Sequence, residues 1–192
     1  MSDTRTVDEG FPIITILMHR QDDPNKCTAH KIVRFKIAKE VIKFPYNSII
    51  LNPFSDKVLT KKDKEHLKGI CAIDCSWNQA NNAISIPRKL YANCRKLPAL
   101  LAGNPTNYAK LGVLSTAEAI AGALYILNHK DKANEIMNKF KWGHTFIELN
   151  YNLLEDYSNA IDQNQIESIE KEYFPFIIND NNERHHIQFP KT

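Results

Sequence analysis

Nearly continuous apolar runs in the first half of the chain predict buried β-strands. Residues 11–19 (FPIITILMH) and 70–73 (ICAI) are rich in β-branched side chains, and a shorter run at 48–51 (SIIL) stops at Asn52 and Pro53. Strands without polar alternation are typical of parallel sheets that are covered on both faces. We therefore expect a parallel sheet at the centre of the protein.

Helical signals lie between these runs. Thr28 is placed to cap a helix that begins at Ala29. Thr60, with Asp63 three positions later, predicts the start of a short lysine-rich helix that ends near Gly69. Strands that alternate with helices in this way indicate crossover connections and a mostly parallel sheet.

The segment before residue 103 completes this α/β pattern. Pro87 suits the first turn of a helix that continues through Arg95. The apolar run at 97–102 (LPALLA) has the length of a further strand, and we interpret it as one. The sequence thus predicts an α/β region over residues 11–102.

Only helical patterns follow. Ser115 and Glu118 form a capping box in front of apolar residues at helical spacing. Further helical patterns cover residues 132–140, 145–159 and 163–173. We expect a helical C-terminal region over residues 103–178 that packs with the α/β region as one unit, and we assign no function to the tails at 1–10 and 179–192.

The distribution of charge is more informative than its balance. The chain has 25 basic and 22 acidic residues, and the basic ones cluster at 31–43, 57–68, 88–96 and 139–141. Lysine-rich helix faces are commonly just solvated, so each cluster alone is weak support for nucleic-acid binding. No apolar run approaches the roughly 20 residues of a membrane span, and the N-terminus lacks the pattern of a signal peptide. We expect a cytoplasmic protein with no membrane partner.

Motifs for metals and for common nucleotide cofactors are missing from the sequence. The four cysteines are irregularly spaced, which favours reduced thiols, and the seven histidines show no helical metal-ligand spacing. The six glycines form neither GxGxxG nor a Walker A phosphate loop. We therefore expect no metal and no cofactor held by a glycine-rich phosphate loop.

Three candidate functional segments follow predicted strands. They are Asp74 and Trp77 within residues 70–77 (ICAIDCSW), the loop at 24–28 and the turn at 103–108. The carboxyl ends of parallel strands meet along one edge of a sheet, where open α/β folds usually bind ligands. From residue patterns alone, Asp74 is more commonly a turn residue than a catalytic one, and Trp77 is more commonly a core residue than a ligand platform.

Six segments, in order along the chain, carry a resemblance to a known family. They are residues 27–28 (CT), 73–77 (IDCSW), 95–98 (RKLP), 102–108 (AGNPTNY), 114–119 (LSTAEA) and 140–144 (FKWGH). From about residue 11 to residue 160, the chain closely resembles the small-subunit ribosomal RNA aminocarboxypropyltransferases. The resemblance implies an α/β fold related to the SPOUT-class RNA methyltransferases, with a trefoil knot, followed by a helical C-terminal half.

The resemblance also implies a reaction. The co-substrate would be S-adenosylmethionine, and the enzyme would transfer its 3-amino-3-carboxypropyl group to 1-methylpseudouridine in small-subunit rRNA during ribosome biogenesis. Methylthioadenosine would be released and no metal would take part. The partner would be small-subunit rRNA or the pre-ribosomal small subunit, and we expect the enzyme to be a monomer.

Cofactor contacts are implied at the positions that match the family motifs. Trp77 would pack on the chain that is transferred, and residues 112–116, here named the closing loop, would cover the ligand. The full set implied by the resemblance is Thr28, Ile73, Trp77, Leu97, Gly112, Leu114, Ser115 and Thr116. Residues 109–112 (AKLG) depart from relatives, which often have Gly, a basic residue, Pro and an aromatic there. A side-chain contact at Gly112 is therefore lost, whereas a backbone contact survives.

Orientation would select the product of such a reaction. The sulfonium activates each of its three attached carbons, so the carbon held in line with the nucleophile reacts. The uridine ring nitrogen must lose a proton, and we nominate Asp74 as the base. An aspartate in this position could instead hold a backbone turn or orient the substrate.

RNA contacts would come from basic residues beside the cofactor cleft. The candidates are Arg34, Lys36, Arg88, Arg95, Lys96 and Lys141. Two alternatives to aminocarboxypropyl transfer stay open: methyl transfer by a SPOUT-type enzyme, and a non-catalytic rRNA-binding assembly factor.

Overall fold

A parallel sheet organises the N-terminal half of the protein. The structure, a computed structural model, describes residues 12–19, 23, 27–65, 68–74 and 86–175. Its strands are β1 (Ile13–Met18), β2 (Lys39–Val41), β3 (Ser48–Leu51), β4 (Gly69–Asp74) and β5 (Cys94–Arg95). They are hydrogen-bonded in the order β2-β1-β4-β3-β5, and every pairing is parallel. The prediction of a mostly parallel sheet is confirmed.

The two central strands end at the same level. Met18 of β1 is opposite Asp74 of β4, so both strands deliver their last residues to one edge of the sheet. Along β4, Ile70 and Ala72 face the main core, whereas Cys71 and Ile73 face a smaller apolar cluster on the other side. Because both faces of β4 are covered, residues 70–73 are all apolar, which is the pattern visible in the sequence.

Helices make up most of the remaining chain. They are α1 (Thr28–Arg34), α2 (Thr116–Ile126), α3 (Lys130–Met137), α4 (Gly143–Leu149), α5 (Tyr151–Asn159) and α6 (Gln163–Tyr173). Helix α2 begins with the predicted capping box of Ser115 and Glu118, and α6 has the predicted bounds, with Asp162 as its cap. One apolar core runs from Ile14 in β1 to Phe174 after α6. None of the helices in the described ranges has the length and apolar character that spanning a membrane requires.

Four helical predictions need correction. Cys27, not Thr28, caps α1, because its Sγ accepts the His30 N–H while Thr28 is the first helical residue. The chain after Thr60 forms a 3₁₀ helix at Lys61–Glu65. The chain after Pro87 forms a 3₁₀ helix at Arg88–Asn93 before β5. The pattern at 145–159 is two helices, α4 and α5, which meet at Asn150.

The prediction of a strand at 97–102 is wrong. Leu101 makes only an isolated bridge to Leu111. Side chains form several of the hydrogen bonds to its backbone instead. Asn150 bonds both the N–H and the C=O of Leu101 at 2.8 Å. The Glu170 carboxylate accepts the Ala99 N–H at 2.6 Å, and the Tyr157 hydroxyl donates to the Ala99 C=O at 3.1 Å. Backbone groups of the following loop supply further partners, because the Leu100 C=O accepts the Gly112 N–H and the Ala102 N–H donates to the Lys110 C=O. A buried segment can remain outside a sheet when its backbone groups find such partners.

Strand β2 was not predicted. Its sequence, KEV, has two exposed charged residues, Lys39 and Glu40, and it lies at one edge of the sheet. Charged residues are typical of edge strands, but so short a stretch has no apolar pattern that would identify it.

Candidate active site

The carboxylate of Asp74 joins three elements at the carboxyl end of β4. Its side chain is buried, with 8% exposed. The Thr116 hydroxyl donates to Oδ1 at 2.9 Å, and the Cys27 thiol donates to Oδ2 at 3.4 Å. Its backbone C=O accepts the His19 N–H at 3.0 Å, beyond the end of β1. Asp74 therefore links β4 to the starts of α1 and α2.

The starts of α1 and α2 also contact each other directly. The Ala117 N–H, in the first turn of α2, donates to the Thr28 hydroxyl at 3.3 Å. An Asp side chain that accepts from the first residue of α2 lies at the positive end of that helix, where a negative charge is stabilised. Asp74, Thr116 and Cys27 thus form one hydrogen-bonded group, and Thr28 is attached to it through the Ala117 backbone.

Cys27 is a donor in this group rather than a nucleophile. Burial, together with the charge of Asp74, raises the pKa of its thiol to about 11. The thiol therefore stays protonated at neutral pH and keeps its hydrogen bond to the carboxylate.

The closing loop lies beside a second segment that the sequence singled out. The Gly112 N–H donates to the Leu100 C=O at 2.9 Å, which holds the start of the closing loop against residues 97–101. Gly112 has φ +74°, and a Cβ built on it would meet nothing within 4 Å. The side-chain direction at Gly112 is therefore open, and because its N–H is already bonded to Leu100, a backbone contact to a ligand would come from its C=O.

Ala109, just before the closing loop, carries backbone strain. It has φ +59°, a left-handed conformation that L-residues rarely adopt and that glycine adopts freely. A glycine at this position would be unstrained.

Glu118 lies beneath the closing loop and is fully buried, with 0% exposed. Oε1 accepts the N–H groups of Gly103 and Asn104 at 2.7 and 2.9 Å. Oε2 accepts the Asn104 side-chain amide at 2.8 Å and the Ser115 N–H at 2.7 Å. Gly103 is required at the same place, because a Cβ there would lie 2.5 Å from the Phe146 nitrogen.

Similarity to known proteins decides the family. The family model described as "Ribosome biogenesis protein, C-terminal" matches residues 49–174. The chain belongs to this ribosome biogenesis family. Two relatives called 16S rRNA aminocarboxypropyltransferase show the same similarity. The one from Thermoplasma volcanium is 44% identical over 164 residues, which are 84% of this chain and 98% of the relative. The one from Methanocaldococcus jannaschii is 42% identical over 168 residues, which are 85% of this chain and 96% of the relative.

A solved structure supports the same assignment. The chain is similar to the SAM-dependent rRNA:acp-transferase Tsr3 from Vulcanisaeta distributa, with a TM-score of 0.79 and 40% sequence identity. The similarity covers 89% of this chain and 93% of that one. This ribosome biogenesis protein therefore shares the fold of an S-adenosylmethionine-dependent rRNA-modifying enzyme.

The structure brings four of the eight implied cofactor residues together at one edge of the sheet. Thr28 and Thr116 belong to the Asp74 group, Ser115 caps α2, and Leu114 is buried beside it. Ile73 is adjacent to Asp74, but its side chain packs against the smaller cluster on the opposite face of the sheet. Leu97 is partly buried against the main core, and Trp77 and the loop at 24–26 lie outside the described residues.

The candidate RNA-binding residues differ in their solvent exposure and in the bonds they already make. Arg34, Lys36, Arg88 and Lys141 are exposed. Arg95 is already bonded: its guanidinium forms an ion pair with Asp63 at 2.7 Å and donates to the C=O groups of Ala92 and Cys94. Lys96 is partly buried.

Sequence reasoning missed the roles of two polar residues in this site, Cys27 and Glu118. Cys27 appeared only as a reduced thiol, and its cap role has no sequence signal. Glu118 was identified as half of a capping box, but its bonds to Gly103 and Asn104 depend on a turn 14 residues away. Among the residues that the structure describes, no group of three or more His, Cys, Asp or Glu could hold a metal.

Proposed function

We propose that this protein transfers the 3-amino-3-carboxypropyl group of S-adenosylmethionine to 1-methylpseudouridine in small-subunit rRNA. The observation that carries the proposal is the convergence of Thr28, Asp74 and Thr116 at one sheet edge, in a chain 40% identical over nearly its full length to a SAM-dependent rRNA:acp-transferase. The acceptor nucleotide rests on the resemblance of the sequence motifs.

The residues present fit such a co-substrate. Leu97 and Leu114 supply apolar surface on the two segments that meet at the Gly112–Leu100 hydrogen bond, as an adenine ring requires. Gly112 leaves open space where a side chain would be, and Thr28 has a hydroxyl beside the start of α2. Trp77, four residues after Ile73 in the chain, would pack against the aliphatic group that is transferred.

The reaction needs little from the protein beyond positioning and a proton acceptor. The uridine ring nitrogen forms a bond to the γ-carbon of the co-substrate, the bond from that carbon to sulfur breaks, and its electron pair leaves with methylthioadenosine. The proton of the ring nitrogen passes to the Asp74 carboxylate, each oxygen of which has a lone pair beyond those that accept from Thr116 and Cys27.

The test uses two labels. S-adenosylmethionine labelled separately in its methyl and carboxyl groups is incubated with the protein and with small-subunit rRNA that contains or lacks 1-methylpseudouridine. Carboxyl label that enters only the methylpseudouridine-containing rRNA is the expected result. Methyl label in rRNA would instead identify a methyltransferase, and no label a non-catalytic assembly factor.

Three further features belong to the same proposal. The exposed Arg34, Lys36, Arg88 and Lys141 are proposed to contact rRNA phosphates. The resemblance to SPOUT-class enzymes supports a knotted backbone. A cytoplasmic monomer is the form in which we propose that the enzyme acts, and sedimentation of the purified protein tests its oligomeric state.

A further inference from the structure

Glu118 binds two separate segments of the chain that both belong to the proposed co-substrate site. One is the turn at Gly103 and Asn104, which directly continues the segment that begins with Leu97. The other is the closing loop, through the Ser115 N–H. Its four hydrogen bonds are all between 2.7 and 2.9 Å, and the side chain is 0% exposed.

We infer that Glu118 is a positioning residue for the co-substrate, because its carboxylate holds the turn at 103–104 and the closing loop at a fixed separation. The inference rests on the proposed function, since it assumes that the closing loop covers S-adenosylmethionine. The capping of α2 alone would need only the bond to Ser115. The three bonds to the turn add nothing to the cap, yet they fix the other wall of the site.

Glu118 also affects the surroundings of Asp74, because Ser115 and Thr116 are consecutive in the chain. Ser115 is followed by Thr116, whose hydroxyl donates to Asp74. If Ser115 is displaced, that donor moves with it. Glu118 therefore positions both the apolar walls of the site and the hydrogen-bonded group around Asp74, without touching the reacting atoms.

The charge state matters as much as the shape. All four donors are N–H groups, so both carboxylate oxygens must accept. In Glu118→Gln the amide oxygen can replace only one of them, and the NH₂ group then faces two donors. One of the two segments is released, although the volume of the side chain is unchanged.

The experiment compares Glu118→Gln with Glu155→Gln in the full chain. Glu155 forms an ion pair with Lys130 at 2.7 Å and accepts from Tyr125, all within the helical half, so its loss is a matched structural control. The equilibrium Kd for S-adenosylmethionine is measured by titration calorimetry below the thermal transition of each variant. We expect Glu118→Gln to raise Kd at least tenfold and Glu155→Gln to change it less than twofold.

A second readout separates positioning from catalysis. Glu118→Gln should raise KM for S-adenosylmethionine at least tenfold while kcat at saturation changes less than about threefold, because binding energy re-forms the loop. A Kd within twofold of wild type, or an equal rise in Glu155→Gln, would overturn the inference while leaving the proposed function intact. A wild-type protein that does not bind S-adenosylmethionine would overturn both.

Asn104→Ala keeps the inference testable if Glu118→Gln does not fold. It removes the side-chain bond to Oε2 and the bond that Oδ1 accepts from the Asn107 N–H, and it leaves the three backbone bonds to Glu118. We expect Kd to rise about threefold to tenfold, and an unchanged Kd in this folded variant would count against a positioning role.

Discussion

The Thr116 hydroxyl donates a hydrogen bond of 2.9 Å to Oδ1 of Asp74, so the first residue of α2 is bound to the last residue of β4. The two residues are 42 positions apart in the sequence. This bond brings the helical half of the protein onto the carboxyl end of the sheet, where parallel α/β folds bind their ligands.

Thr116→Val should therefore weaken the site without changing its shape. A hydrogen bond to a charged group contributes about 1.5–3 kcal/mol, so we expect kcat/KM for S-adenosylmethionine to fall about 10-fold to 100-fold. Steady-state kinetics with the rRNA acceptor measure the change. Thr116→Ser retains the hydroxyl and should keep most of the activity; equal losses in both variants would show that the methyl group, not the hydrogen bond, matters.

Asp74→Asn tests the base. The amide oxygen can still accept from Thr116, but an amide cannot take the proton of the uridine ring nitrogen. We expect kcat at neutral pH to fall about 100-fold or more, within the range for general-base catalysis, while Kd for S-adenosylmethionine changes little. Unchanged turnover together with unchanged affinity would show that Asp74 is not the base.

Arg88 and Arg95 should respond differently to substitution. Arg88 is exposed, so Arg88→Ala should weaken rRNA binding and reduce the slope of log Kd against log salt by about 1 without lowering the melting temperature.

Arg95→Ala leaves the buried Asp63 carboxylate without its ion-pair partner, which should cost about 3 kcal/mol of unfolding free energy. Filter binding across a salt series and urea denaturation measure the two effects. An Arg95→Ala variant of normal stability but weak RNA binding would contradict this division.

Asn150→Ala should be strongly destabilising. The side chain is fully buried, and the substitution removes its two bonds to the Leu101 backbone and a third to the Phe146 C=O, all at 2.8 Å. Unsatisfied buried backbone groups predict a loss of about 2–4 kcal/mol in the free energy of unfolding by urea. Asn159→Ala is the control, because that exposed amide donates only to the Glu155 C=O and should cost less than about 0.5 kcal/mol. Similar losses would mean that Asn150 does not hold the 97–101 segment.

Glu170 predicts a pH dependence of stability. Burial raises the pKa of its carboxyl above the ordinary value of 4.5, against the opposing effects of the Ala99 N–H and Lys96. The folded state therefore binds a proton more tightly than the unfolded state, so this contribution to stability is complete below pH 4.5 and is lost as pH rises through the folded pKa. Glu170→Gln keeps an oxygen for the Ala99 N–H and carries no charge.

We expect Glu170→Gln to gain stability over wild type as pH rises from 4.5 to 7.5. Urea denaturation at several pH values across this range measures the difference. A variant that loses stability relative to wild type with rising pH would show that the ionised carboxylate is favoured in the folded protein.

Much of the sheet was predictable because buried strands are recognised from the apolar residues within each strand. Residues 49–51 and 70–73 are apolar on both faces, and the structure shows β3 and β4 covered on both sides. The capping box of Ser115 and Glu118 was predictable for the same reason, since a cap involves residues three positions apart.

The segment at 97–102 shows where such reasoning stops. Its apolar residues indicate burial correctly, but burial does not reveal what will satisfy the backbone. The partners are Asn150, Tyr157 and Glu170, which lie 49 to 71 positions later in the chain. Strand β2 is the converse case, because its backbone pairs with β1 although its sequence has no apolar pattern.

The sequence by itself determined which strands are buried, where α2 and α6 begin, and that Thr28, Asp74 and Thr116 belong to segments shared with one enzyme family. The tertiary structure alone decided that Asp74 accepts from both Thr116 and Cys27, that Arg95 is bonded to Asp63, and that Glu118 joins two loops. The reason is physical: apolar patterns and caps depend on neighbours within a few positions, whereas a buried polar group is satisfied by whichever donors the folded chain brings to it.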